Sequence, residues 1–129
     1  MANTITYQTI IDGARNTVIK VSGVLDTSNL SSTVIVDPAT LVPVPTQLRI
    51  DHIDYSISDQ LELRLQWDAT TPVDIMPLAG RGRMSFWNIG GLQNNAGAGK
   101  TGKIKLSTDG YTSGVQIFTL ILEMVKQGV

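Results

Sequence analysis

Leu61-Glu-Leu-Arg-Leu-Gln-Trp67 decides the fold class, because apolar and polar residues alternate along it without a break. Successive side chains of a β-strand point to opposite faces, so the four apolar residues share one face and the three polar residues share the other. This pattern is typical of a strand that packs one face on a core and turns the other to water.

A second segment, residues 115–125, is apolar on both faces, which is typical of a strand covered on both sides. A helical period of 3.6 residues persists nowhere for three turns. The sequence therefore predicts an all-β protein with little or no helix. We expect a single domain over residues 1–129, an antiparallel, jelly-roll-like β-sandwich of about eight strands.

Turn residues and apolar parity place the other strands. Asp12-Gly13 favours a tight hairpin between strands at 4–11 and 16–25. Within residues 48–57 the apolar positions change parity, and a β-bulge near Asp51-His52 would return them to one face. Shorter strands are predicted at 33–36, at 73–78 (broken by Pro77) and at 103–108, and residues 84–87 form a short apolar segment.

Composition narrows the functional classes. Charged residues make up 16% of the chain, against roughly 25% in typical soluble domains. Such a surface fits a protein packed against others, and it equally fits a neutral β-domain. The net charge of −1 provides no field that would hold nucleic acid or an anionic membrane. No apolar run approaches the ~20 residues of a membrane span, and the start lacks a secretory signal, so we expect synthesis in the cytoplasm.

The sequence contains no complete catalytic or ligand-binding motif. The chain has no cysteine, which excludes thiolate zinc sites and cysteine nucleophiles. Ala98-Gly99-Lys100-Thr101 is similar to the end of a phosphate-binding loop, but Asn94 replaces the first glycine and an alternating strand follows where a helix is needed. His52 is the single histidine, and we interpret it as a surface residue beside the bulge. We therefore predict no enzyme activity, no cofactor and no metal.

Several residues are candidates for contacts with other proteins. Arg81 and Arg83 lie on a glycine-rich, flexible stretch, where they would either dock on a neighbouring subunit or remain solvated. Residues 88–102 hold five glycines and three asparagines and are predicted to form a long loop. Lys103 and Lys105 share a face of a predicted edge strand, where lysine discourages aggregation.

Five strings of turn and loop residues carry a resemblance to a known family. They are Thr6-Tyr-Gln-Thr-Ile-Ile-Asp-Gly13, Gln66-Trp-Asp-Ala-Thr-Thr-Pro72, Leu78-Ala-Gly-Arg-Gly-Arg83, Gly90-Gly-Leu-Gln-Asn-Asn-Ala-Gly-Ala-Gly99 and Leu106-Ser-Thr-Asp-Gly-Tyr-Thr112. Over about residues 3–126 the chain resembles small proteins encoded among the virion structural genes of tailed bacteriophages. That family pattern includes no catalytic residue, so none is carried over.

The resemblance implies a structural component of the virion. The leading hypothesis is a capsid decoration (cement) protein that binds the major capsid protein as a cyclic oligomer, with a trimer favoured. The residues expected at its interface are Ile5, Arg81, Arg83, Trp87, Ile89 and Leu92. A neck, collar or tail component is the first alternative. The second is a carbohydrate or nucleic-acid binding module that stacks its ligand on Trp67, Trp87 or Tyr111.

Overall fold

A computed structural model describes residues 3–128 and contains nine β-strands and two short 3-10 turns in this range. The strands are β1 (Thr4–Asp12), β2 (Asn16–Leu25), β3 (Thr33–Val36), β4 (Gln47–Ile57), β5 (Glu62–Trp67), β6 (Val73–Leu78), β7 (Arg81–Ser85), β8 (Ile104–Asp109) and β9 (Gln116–Gln127). The 3-10 turns are Pro38–Thr40 and Trp87–Ile89.

The strands form two antiparallel sheets that pack face to face. One has five strands in the order β1-β2-β9-β4-β7, and the other has four in the order β3-β8-β5-β6. Buried apolar side chains from both sheets form one continuous core between them. The predicted all-β sandwich is confirmed.

The pairing pattern is that of a jelly roll. β2 pairs with β9, β3 with β8, β4 with β7 and β5 with β6, so that each pair lies inside the previous one along the chain. The stretch from β2 to β9 is thus one long hairpin, rolled so that the β4–β9 and β5–β8 ladders complete the two sheets. β1 is an additional ninth strand, joined to the free side of β2.

The burial of residues 61–67 agrees with the apolar and polar alternation of their sequence. Leu61 and Trp67 are at most 3% exposed, and Leu63 and Leu65 are fully buried. β5 lies between β8 and β6, so its buried face is in the middle of the smaller sheet. The polar side chains between these residues point away from the core.

The bulge in β4 is also where the parity change predicted it. The register of β4 against β9 shifts between Ile50 and His52. As a result Leu48 and Ile50 before the shift and Ile53 after it are all fully buried. One extra residue therefore keeps the whole strand facing the core.

The prediction for residues 115–125 is wrong for one of the two faces. Phe118, Leu120 and Leu122 of β9 are buried in the core. On the opposite face Ile117 is 56% exposed, and no strand of the described residues 3–128 packs over it. This outer face of the five-stranded sheet is apolar in part and turned outward.

Three further predictions are wrong, those for Pro77, for Lys105 and for the two arginines. β6 continues through Pro77, because β6 is an edge strand in which a missing N–H breaks no ladder. Lys105 lies on β8 between β3 and β5, not at an edge, and its Nζ is 3.0 Å from Asp68 Oδ1. Arg81 and Arg83 belong to β7 and not to a flexible stretch.

Gly23 leaves room for an aromatic ring of the core. It lies on β2 opposite Phe118 of β9, and a Cβ at this position would overlap the Phe118 ring. Glycine in a strand interior is otherwise unfavourable, so its presence here is explained by this close approach.

We predict that Gly23→Ala destabilises the protein by about 1–3 kcal/mol, because the added methyl group forces Phe118 out of its position. The free energy of unfolding in urea measures the effect. Ser22→Ala, next to it on the outward face of the same strand, is the matched control and should change stability by less than about 0.5 kcal/mol. Equal stability of the two variants would contradict this account of the core.

Candidate interaction surface

Three connecting segments meet at the end of the larger sheet where β4 begins and β9 ends. They are the end of β1 with the turn after it (residues 10–15), the loop of residues 41–46 and the segment 86–93; we call this surface the loop end. Val42 donates its N–H to Asp12 Oδ2 at 2.9 Å, which joins the first two segments. Gln127, which pairs with Gln47, donates to Gln93 Oε1 at 2.9 Å and so joins the third.

The loop end carries six large apolar side chains that are about half or more exposed. They are Ile10 (49%), Ile11 (50%), Val42 (74%), Val44 (56%), Trp87 (64%) and Ile89 (71%). Scattered exposed apolar residues are normal, whereas several at one end of a domain are typical of an interaction surface.

Trp87 and Ile89 are presented by a turn that backbone bonds hold in place. Phe86 donates its N–H to Asp51 O at 2.7 Å, and Gly91 donates its N–H to Phe86 O at 2.8 Å. Gly91 has a φ of 79°, in the left-handed region that favours glycine. Phe86 packs against the core, whereas Trp87 and Ile89, which follow it in the turn, are exposed.

The long loop that follows is anchored to β4. Leu92 and Ile50 exchange two backbone hydrogen bonds of 2.8 and 3.1 Å, and Leu92 packs against the core. Further along, Asn94 is buried and its Oδ1 accepts the N–H of Ala96 at 3.0 Å. The predicted loop therefore has fixed contacts with the sheet at its start.

Two ion pairs lie at the loop end, whereas Arg15, in the turn after β1, is exposed and has no ion pair within residues 3–128. Lys126 is buried, and its Nζ lies 2.6 Å from Asp12 Oδ1. Arg49 Nε lies 2.9 Å from Asp51 Oδ1. The hydrogen bond from Lys126, followed by that from the Val42 N–H, lowers the pKa of the Asp12 carboxyl. Because these charges neutralise one another, the apolar residues dominate the surface.

The structure brings three of the six predicted interface residues together. Trp87, Ile89 and Leu92 lie close together in sequence and belong to the loop end. Leu92 is the most buried of the three. Ile5 lies at the other edge of the sheet and towards its opposite end, facing Gly23. It is half-buried against the core.

The two predicted arginines lie on the outer face of β7. Arg83 is already occupied, since its guanidinium donates to Asp54 Oδ2 at 2.7 Å and to Glu123 Oε2 at 2.9 Å. Arg81 is exposed at the start of β7 and pairs in register with Ser56. Of the two, Arg81 is the one without an ion pair within residues 3–128.

Of the three aromatic residues proposed as stacking platforms, one is suitably exposed. Trp67 is 2% exposed and belongs to the core, so its assignment as a platform is wrong. Tyr111 is partly buried, and its hydroxyl donates to Gly114 O at 2.8 Å. Trp87 alone of the three presents most of its surface.

The residues considered as phosphate-binding or catalytic candidates form hydrogen bonds with other side chains of the same chain. Lys100 Nζ donates to Gln47 Oε1 at 2.9 Å, and Thr101 Oγ1 donates to Asp68 Oδ2 at 2.7 Å. His52 Nδ1 is 2.8 Å from Ser85 Oγ on the outer face. In the part of the chain that the structure describes, no three His, Cys, Asp or Glu side chains are grouped as metal ligands. The same part contains no helix long and apolar enough to cross a membrane.

Sequence reasoning missed four residues of the loop end, namely Ile10, Ile11, Val42 and Val44. The signal was present in Val42-Pro-Val-Pro45, where prolines keep apolar residues out of a ladder interior. Valines in such a loop either pack inward or remain exposed, and here they are exposed.

Comparison of the chain with models of protein families, with curated proteins and with solved structures gives no match.

We predict that the protein loses stability in acid through Asp12 and Asp68. Bonds from Thr101 and then Lys105 lower the pKa of Asp68, as those from Lys126 and Val42 do for Asp12. A carboxyl with a lowered folded-state pKa binds protons less readily in the folded protein than in the unfolded chain. Its contribution to stability is therefore complete above the ordinary pKa of 3.8 and is lost as the pH falls through the lower folded-state pKa.

Thermal denaturation between pH 7 and pH 2 measures this dependence. Asp12→Asn should lower the Tm at pH 7 and reduce the further fall below about pH 4, because the amide neither titrates nor neutralises Lys126. Asp59→Asn, at an exposed turn, is the control and should leave the profile unchanged. A profile of Asp12→Asn that parallels the wild type would refute the assignment.

Proposed function

We propose that this protein is a structural component of a tailed bacteriophage virion and that it acts as a capsid decoration protein, binding the major capsid protein through the loop end. The observation that carries the proposal is the group of six exposed apolar side chains at one end of the sandwich. The resemblance to virion proteins supplies the biological setting. Jelly rolls also occur in viral capsid and lectin domains, which fits the proposal by analogy.

The loop end has the properties of a protein-binding surface. Trp87 is of the residue type most enriched at the energetic centres of interfaces. The turn that holds it is bonded to β4, so binding would order few additional side chains. With two local ion pairs and Arg15 as the one free cation of the loop end within residues 3–128, affinity would come mainly from buried apolar area and from many copies on one lattice.

Placement at the neck, collar or tail remains the first alternative within the same class. The same surface would then contact a different virion protein, and the protein would form a ring of defined order. Labelling of intact particles distinguishes the two placements, because decoration proteins cover the head, whereas neck and tail proteins lie below it.

A carbohydrate-binding module is the second candidate, and the exposed ring of Trp87 favours it. Aromatic rings that are open to solvent provide flat apolar faces on which sugars or bases stack. Titration with glycans and oligonucleotides tests this candidate through the fluorescence of Trp87. A Trp87→Phe variant identifies the signal, since Trp67 is buried and contributes a constant background.

We predict that Trp87→Ala weakens binding to phage heads lacking this protein by about 30-fold, the effect of a hot-spot residue worth about 2 kcal/mol. Ile89→Ala should weaken binding by about fivefold, as expected for an ordinary interface contact of about 1 kcal/mol. Cosedimentation of purified protein with such heads measures both affinities.

Ile117→Ala is the matched control, because it removes the same atoms from an exposed isoleucine at the opposite end of the sheet. It should leave binding unchanged. If purified protein does not bind these heads, the decoration proposal is wrong. If Ile117→Ala weakens binding as much as Ile89→Ala, the protein binds through a surface other than the loop end.

A further inference from the structure

The five-stranded sheet ends in a long strand whose outer edge is unpaired. β1 pairs with β2 and with no other strand of the described residues. Its nine residues therefore present a row of backbone N–H and C=O groups at the free edge, which is a template for a further strand.

The other three edges carry the features that prevent such pairing. β7 has two arginines, Arg81 and Arg83, on five residues. β6 contains Asp74 and Pro77, and proline has no N–H to donate. β3 is four residues long and is followed by Asp37-Pro38. Short length, charge and proline are the usual protections of sheet edges.

β1 lacks these protections over most of its length. From Thr4 to Ile11 it contains no charge and no proline. Its one irregularity is a register shift between Thr9 and Ile11, which leaves the preceding residues regular. The unprotected part of the edge is therefore the run Thr4–Thr9.

An apolar groove lies beside this same run. β1 and β3 are edge strands of the two sheets, and both line a groove of about 390 Å³. Tyr7, Ile19, Val34 and Val36 are among its lining residues. The Tyr7 hydroxyl crosses the gap and donates to Val34 O at 3.1 Å. A strand added to β1 would turn alternate side chains to the side of the sheet on which the groove lies.

We infer that β1 pairs with β1 of a second copy of this chain, in an antiparallel arrangement about a two-fold axis at Thr6. The two larger sheets then join into one sheet of ten strands. In this register Ile5 of one copy lies opposite Tyr7 of its partner, on the groove side. The two copies of Thr6 face each other on the outer side, and Thr4 faces Gln8.

Chemistry on both faces of β1 is self-complementary. Aromatic residues beside β-branched ones, and threonine beside threonine, are favourable neighbours across antiparallel strands. No like charges meet in this register, because the paired run has no charged residue. The paired run, residues 4–8, also lies wholly before the irregularity that follows Thr9, so only regular strand is used. An interface of this kind uses the same patch on both copies, as two-fold symmetry requires.

This inference does not rest on the proposed function, since the paired run ends before Ile10 and Ile11 and lies on a different edge from Trp87 and Ile89 of the loop end. It predicts a dimer where the resemblance favoured a trimer. The two ideas are therefore separable, and either one can fail without the other.

Sedimentation velocity of the purified full chain tests the pairing. We expect a species of about twice the 13.9 kDa chain mass at high concentration that dissociates on dilution. Thr6→Lys should weaken association by about tenfold or more, because it places two ammonium groups opposite each other across the axis. Ser56→Lys adds the same charge to an exposed position on the outer face of β4 and should leave association unchanged.

A second variant keeps the test valid if Thr6→Lys impairs folding. The chain has no cysteine, so a single introduced cysteine reports on its own position. Thr6→Cys should form a covalent dimer with an oxidant or a short bismaleimide, whereas Ser56→Cys should not. A chain that is monomeric at every concentration overturns the inference. So does an oligomer that is unaffected by Thr6→Lys and is not linked through Thr6→Cys.

Discussion

The ladders on either side of β9 are the constraint on which the rest of the structure depends. β9 pairs with β2 at ten positions and with β4 at ten, so it is fixed on both sides along nearly its whole length. Its inward side chains, Phe118, Leu120, Leu122 and Met124, occupy the middle of the core. Every other pair of the jelly roll lies within the span that β9 closes with β2, and the smaller sheet packs on the face that these ladders create.

Features that depend on neighbouring residues could be predicted from the sequence. The alternation of residues 61–67, the turn at Asp12-Gly13 and the parity change beside His52 each have a local physical cause. The structure confirms the alternation, the bulge and the hairpin, together with the all-β sandwich to which they belong. The turn chemistry is different from the prediction, because Gly13 has no positive φ and donates its N–H to Asn16 O at 2.9 Å, which leaves Ala14 and Arg15 at the centre of the turn. Hydrophobic period was sufficient for the strands, because their core faces are apolar apart from Thr17 of β2.

Features that depend on strand order could not be predicted in this way. Pro77 was expected to break a strand and Lys105 to protect an edge, but β6 is the edge strand and β8 is an interior one. Arg83 was expected in a flexible stretch, and it instead bridges Asp54 and Glu123 on two other strands. Of the loop end, Trp87 and Ile89 were recognised, while Val42 and Ile10 were missed because distant segments meet there.

The unequal bonding of β1 and β9 has a consequence for motion. Opening β9 breaks two ladders and exposes the core, so its amide hydrogens exchange with solvent only when the whole domain unfolds. β1 is held by one ladder and by side-chain bonds, in which Asn3 accepts the N–H groups of Asp26 and Thr27, Tyr7 donates to Val34 O, and Asp12 pairs with Lys126. In a single copy its amides are therefore expected to exchange through local detachment of the strand, sooner than those of β9, and a second copy paired to its free edge would slow that exchange.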